Sequence, residues 1–225
     1  MAAPEKQGKT LWEMCKERFG SNGSHLTFYN PLDLRVGSMV PVTDSRTEFE
    51  GFDFSVTEIR EYTRRMGGQD FRFTDYVLIG INPKTIGGVD KITLRLRAAP
   101  NEAGTHDTLL LRLSDELAFD QGFLDVVNDT TGIFEVGEDD GQKETYQRLN
   151  DVKGSYQAVV LVIKGTTDDG KANRNQTSAG KLEYWDYWRD VTLPGGQATK
   201  TEFLFVEMNA DTGWFQIWIG GEYFP

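Results

Sequence analysis

Residues 202–219 run Glu-Phe-Leu-Phe-Val-Glu-Met, then Asn-Ala-Asp-Thr-Gly, then Trp-Phe-Gln-Ile-Trp-Ile. Two apolar runs separated by residues that tolerate turn dihedrals predict a β-hairpin turning at Asn209–Gly213. Side chains alternate along a strand, so Phe203 and Phe205 share one face, and Leu204, Val206 and Met208 share the other. On the second strand Trp214 and Trp218 oppose Phe215, Ile217 and Ile219. Both faces are apolar, which places the hairpin inside a sheet covered on both sides.

Strand signals extend outward from the hairpin. Phe52, Phe54 and Val56 alternate with polar residues. Phe71 and Phe73 open a strand that runs through Tyr76 and Leu78. In residues 91–97, Ile92, Leu94 and Leu96 are expected to point inward, and Lys91, Thr93, Arg95 and Arg97 outward. Exposed cations on a strand deter edge-to-edge association, and this cluster could also bind a carboxylate or phosphate. Leu109, Leu111 and Leu113 form a further strand, and residues 155–163 one buried on both faces near its end. Residues 165–181 are expected to be the longest loop, of a length usually functional or disordered. One helix is expected, over residues 9–19, where Leu11, Cys15 and Phe19 recur at i, i+4 and i+8 with Trp12 beside them and Gly20 to end it. That helix either packs on its own sheet or docks on a partner or membrane surface. The fold class is therefore mainly β, a two-sheet sandwich or barrel-like body with one short N-terminal helix. Its expected parts are 1–24 (tail and helix), 25–115 (first β unit) and 116–225 (second β unit).

Two segments resemble each other. Phe71-Arg-Phe-Thr-Asp-Tyr-Val77 parallels Leu182-Glu-Tyr-Trp-Asp-Tyr-Trp188, setting Asp75-Tyr76 on Asp186-Tyr187 and, at the same offset, Ile92 and Leu94 on Phe203 and Phe205. Either the β units are diverged copies, or aromatic-rich strands are alike by chance. The pattern Leu34-x-Val36-Gly37, Phe54-x-Val56, Phe73-Thr-Asp75-Tyr76-x-Leu78 resembles small bacterial β domains of unknown function, commonly encoded beside phage-shock-protein-A-like membrane-stress proteins. The resemblance covers about residues 30–97 and, more faintly, 130–219. It implies a β fold near a membrane-stress complex and brings no catalytic residues with it.

Chemistry is sparse in the sequence. The chain has 24 Lys and Arg against 35 Asp and Glu, a net charge of −11, which disfavours nucleic-acid backbones. Cys15 is the single cysteine, so no internal disulfide is expected. His25 and His106 lie in polar, loop-like contexts without a nucleophile elbow. Zinc lacks its usual ligand set. Acidic turns at 138–140, Asp168-Asp169 and Asn209/Asp211 lack EF-hand spacing and read as solvated loops. No cofactor is expected. No secretory h-region or membrane span is visible, so a cytoplasmic location is expected. Tyr184, Trp185, Tyr187 and Trp188 are the candidate binding residues, either an exposed stacking platform for a sugar ring or partner, or core. The leading expectation is a non-enzymatic interaction or scaffold module with a protein partner. The alternatives are a glycan or small-ligand binder, a structural subunit of a larger assembly in which the chain is oligomeric, and a hydrolase with paired carboxylates.

Overall fold

Among the described residues of the computed structural model, twelve strands, all paired antiparallel, join in one sheet. The structure describes residues 34–223 except 45, 67–68, 82–90, 102–104, 138–142, 150–154, 167–171, 174–177, 194–195 and 197–198. The expected 9–19 helix, with Leu11, Trp12, Cys15 and Phe19, lies outside the described residues, as do His25 and the acidic turns at 138–140 and 168–169.

The strands are β1 (Met39–Pro41), β2 (Asp53–Met66), β3 (Gln69–Ile81), β4 (Lys91–Pro100), β5 (His106–Leu117), β6 (Ile133–Val136), β7 (Glu144–Arg148), β8 (Tyr156–Thr166), β9 (Ala172–Asn173), β10 (Ser178–Thr192), β11 (Thr199–Asn209) and β12 (Phe215–Glu222). β2-β3-β4-β5 form one meander, and β8, β10, β11 and β12 form a second run of neighbours. Each run pairs end to end with the other: β5 with β12, and β2 with β8. The sheet is therefore ring-like. The closing seam between β8 and β10 covers only Ser178–Tyr184; farther along, β10 pairs with β7 at Tyr187 and Trp188. The branch toward β7 and β6 keeps the ring from being a complete barrel.

The hairpin at 202–219 takes its expected place between strands on either side, with Phe203, Leu204, Phe205 and Val206 all buried. Asn209 Oδ1 accepts the N–H groups of Asp211 and Thr212, so this candidate metal oxygen is used to shape the turn, and Gly213 adopts φ 74°.

Each run is packed on its outer face by a different cover. β1 and the turns after it lay Val40, Val42 and Phe49 over Phe54, Val56, Leu78, Leu94 and Leu96. Over β10–β12 lies α1 (Gln121–Val127), which with β6 and β7 buries Phe134, Tyr146, Trp185, Tyr187, Leu204, Val206 and Phe215. The sequence reading missed α1 because seven residues carry too few turns to set up a period. Its start is nevertheless written in the chain, since the Asp120 carboxylate caps the Phe123 N–H at 2.7 Å. Asp120→Ala should lower stability by about 1 kcal/mol, the usual worth of an N-cap. A urea melt would read the change, and an unchanged midpoint would deny the cap a role.

Several expectations are corrected here. Residues 165–181 are not one long loop: β8 extends to Thr166, β9 takes Ala172 and Asn173, and β10 begins at Ser178. His106 opens strand β5 and is not in a loop. In β8, Ala158 is buried and Val159 exposed, and the side chains at 160–163, where burial on both faces is expected, lie outside the described residues. The largest correction concerns β4, where Arg95 and Arg97 are 0% and 4% exposed, not on the solvent side. Leu94 and Leu96 face the outer core as expected, so β4 is buried on both faces.

Candidate functional site

The interior of the ring is the most chemically loaded part of the molecule. Three arginines and three carboxylates are buried in it: Arg64 on β2, Asp75 on β3, Arg95 and Arg97 on β4, Asp186 on β10 and Glu207 on β11. Apart from Arg64, each sits one strand position away from a residue in an outer core, which turns its side chain inward. Asp75 neighbours Tyr76, Asp186 neighbours Tyr187, and Glu207 neighbours Val206 and Met208.

The groups pair with one another across the ring, although Arg64 Nε, Arg95 Nε and Nη2, and Asp186 Oδ1 are buried without a hydrogen bond. Arg97 grips Asp75 with two hydrogen bonds, Nε to Oδ1 at 2.9 Å and Nη2 to Oδ2 at 3.0 Å. Arg64 donates to Asp186 at 2.8 Å. Arg95 Nη1 donates to both oxygens of Glu207 at 2.8 Å, and its Nε lies 3.3 Å from Asp75. Glu207 is the hub, with Arg97 at 3.4 Å and Arg64 at 3.8 Å from the same Oε1. Formal charge sums to zero over three cations and three anions, which is the condition for keeping ions out of water.

Aromatic rings complete the enclosure. The Arg95 guanidinium lies 3.8 Å from the Trp218 ring centroid and that of Arg64 3.8 Å from Tyr184. Arg97 lies 4.2 Å from Phe73 and 5.0 Å from Phe205. Such cation–π contacts recover part of the lost hydration. Trp188, Phe203, Leu109 and Leu111 fill the adjoining space.

Burial alone would raise the Glu207 carboxyl, but Arg95, Arg97 and Arg64 overturn that and bring it down to about 2. Asp186 goes the other way: burial raises it, and Arg64 and Arg97 offset the rise only in part. Burial likewise raises the Tyr62 phenol. These directions fix the sign of an acid response. Glu207 is depressed in the fold, so its stabilisation is present above the ordinary value of 4.5 and lost as pH falls toward 2. Asp186 is raised, so its contribution is present below its ordinary 3.8 and lost as pH rises through its folded value. Glu207 should therefore cost the protein up to about 3 kcal/mol between pH 5 and pH 2, with Asp186 returning part of it. Urea unfolding at several pH values would measure the slope. Asp186→Asn should steepen it, and a shallower slope in that variant would contradict the assignment.

The four candidate aromatics are divided by the sheet and none is a platform. Tyr184 and Trp188 point into the ring, 0% and 9% exposed. Trp185 and Tyr187 lie beneath α1, where Trp185 Nε1 donates to Asn128 Oδ1 at 2.9 Å and the Tyr187 hydroxyl to the Val127 carbonyl at 3.0 Å. They are core because β10 is covered on both sides.

Asp75, Asp186 and Glu207 are held in arginine clamps and out of solvent, not across a cleft of the kind a hydrolase with paired carboxylates needs. Arg112 stands apart on the outer surface, bonded to Glu48 at 3.0 Å. It lines an open groove of about 430 Å³ whose charges, Arg46, Arg112 and Lys200 against Glu48, Glu202 and Glu222, are equal in number. Among the described residues no three His, Cys, Asp or Glu side chains gather as metal ligands, and no helix is long and apolar enough to cross a membrane.

The fold and its interior thus define an all-β protein with a single ring-like antiparallel sheet and a self-neutralised ionic core. No family model, curated protein or solved structure matches the chain.

Proposed function

We propose that the protein is a non-enzymatic interaction or scaffold module. One observation carries this reading: the ionisable groups that chemistry would need are spent on one another inside the ring, and aromatic side chains close the space around them. A body whose charged groups are buried in this way works through its outer surface. The resemblance to β domains encoded beside membrane-stress proteins is in keeping with a partner in such a complex. The β units at 25–115 and 116–225 fit diverged copies, because Asp75 and Asp186 both enter the ionic core. The alignment that sets Leu94 on Phe205 does not fit, since Leu94 packs outside and Phe205 inside.

Quantitative affinity capture of the full chain from its own cells, paired with native mass spectrometry of the purified protein, tests the reading. A reproducible near-stoichiometric protein partner and an unliganded mass are expected. A tightly retained small molecule without a protein partner would replace this reading with that of a ligand carrier.

A further inference from the structure

The two covers of the outer face leave a strip of sheet between them. Leu110 belongs to the core under β1 and its turns, and Ile219 packs against the core under α1. Over the β5–β12 joint, both residues line the open groove of about 430 Å³. The groove has depth because one position on this face carries no side chain. Gly221 pairs with Leu110 on β5 and with Glu202 on β11. Ile219 and Tyr223 flank it along β12, since side chains two apart share a face. Phe49, Arg46 and Glu48, from the turns after β1, form one wall.

Cations and acids line this groove in equal number, but they are not equally engaged. Asp44 clamps Arg46 with two hydrogen bonds, of 2.8 and 2.6 Å. Glu202 accepts hydrogen bonds from Arg189 at 2.8 Å and from the Tyr146 hydroxyl at 2.7 Å. Glu48 and Arg112 hold each other at 3.0 Å, but both are exposed, and such a pair is worth little in water. Lys200 is half-buried and donates one long hydrogen bond, 3.4 Å, to the Arg46 carbonyl. It forms no ion pair among the described residues. Glu222 is the acid left over, and it is exposed. Of the two, the half-buried ammonium gains more from a counter-charge, because attraction strengthens where water is excluded.

The groove therefore favours an anion at Lys200 with apolar surface beside it. The end of a polypeptide has both on one residue, whereas an internal Asp or Glu carries its charge in place of an apolar side chain. The length fits as well. Ile219 pairs with Arg112 on one side and Leu204 on the other, and Lys200 lies four residues before Leu204 on β11. The two cations are thus about 13 Å apart along the strands, the span of roughly four extended residues. We infer that this groove docks the C-terminal tail of a partner protein. The tail's carboxylate meets Lys200, its last apolar side chain covers Gly221, Leu110 and Phe49, and an upstream carbonyl meets Arg112. The inference rests on the interaction reading above and names the chemistry of its partner.

The test offers the full chain a library of acetylated peptides randomised over their last four positions, half with a free carboxylate and half amidated. Free-carboxylate peptides ending in an aliphatic or aromatic residue should be enriched. The best of them should shift the NMR amide signals of residues 46–49, 110–112 and 219–222. Lys200→Met keeps the alkyl stem and removes the charge, and should weaken that peptide at least ~10-fold, the lower end of what a hydrogen bond to a charged group is worth. Glu222→Gln removes a nearby acid and should leave the affinity unchanged or higher. Neither side chain belongs to a core cluster, so the melting temperature should stay the same.

Equal recovery of free and amidated peptides would overturn the inference, as would shifts confined to another face. Weaker binding after Glu222→Gln would mean that the groove takes a cation, and would overturn it too. Acetyl-leucine bound as tightly as the best peptide would make this a site for small free acids and not for a partner's tail. A captured partner whose binding ignores Lys200→Met would sink this inference while leaving the interaction reading standing.

Discussion

Glu207→Gln is expected to destabilise the protein by about 3–5 kcal/mol, the cost of leaving a buried charge uncompensated. The substitution keeps the side chain's shape and one acceptor oxygen. What it removes is the negative charge that Arg95, Arg97 and Arg64 share, at 2.8, 3.4 and 3.8 Å. Three guanidiniums would then face two carboxylates inside a ring that water does not reach. Guanidinium-chloride unfolding measures the loss, and a change below about 1 kcal/mol would mean the charges are solvated after all. The variant should also lose most of the acid-induced fall in stability, because that fall comes from protonating this carboxylate. A companion variant separates charge from packing. Replacing Arg64 and Asp186 together by Met and Leu removes a whole pair and should be close to neutral, because both desolvation costs disappear with the attraction.

Gly220→Ala is expected to cost about 3 kcal/mol or more, the upper end of what overpacking does. Gly220 lies on β12 opposite Leu111 of β5. A Cβ there would meet the Leu110 carbonyl oxygen at 1.9 Å and the Leu111 Cα at 2.8 Å. Both obstacles are backbone, so no rotamer change relieves them. The β5–β12 pairing is one of the two joints that close the ring, and the strain would fall on it. Hydrogen exchange should show β5 and β12 losing protection before β3 and β4. Unaltered stability would mean that the two strands approach less closely than described. The Gly220-Gly221 pair inside a strand pattern was a readable sign of close backbone approach.

How far the ionic core was legible can be argued from individual residues. Asp75, Asp186 and Glu207 each sit within apolar runs: Phe-Thr-Asp-Tyr-Val, Tyr-Trp-Asp-Tyr-Trp and Phe-Val-Glu-Met. An acid that shares a strand face with Phe or Trp is out of water if that face is covered, and it then needs a buried cation. Leu109, Leu110 and Leu111 are apolar on both faces, the pattern of a strand covered on both sides. Taken together those signals call for Arg64, Arg95 and Arg97. Read strand by strand, the Leu-Arg-Leu-Arg alternation in β4 points the arginines outward, since an alternating strand usually has a wet face. Under the same rule Tyr184, Trp185, Tyr187 and Trp188 fit either a platform or the interior.

Local chemistry in the sequence determined the strands, the 209–213 turn, the N-cap of α1 and which side chains share a face, because alternation and turn preference act over a few residues. It also determined that acids crowd residues 113–142 without cations. Which face of each strand meets water was decided only by tertiary structure. A period of two names two faces but not their surroundings. Closing β2 on β8 and β5 on β12 turned what looked like the polar side of β4 into the inside of a ring. There the arginines found carboxylates about 110–120 residues away in sequence, at separations of 110, 112 and 122. Pairings of that span follow from closure of the sheet, which no window along the chain contains.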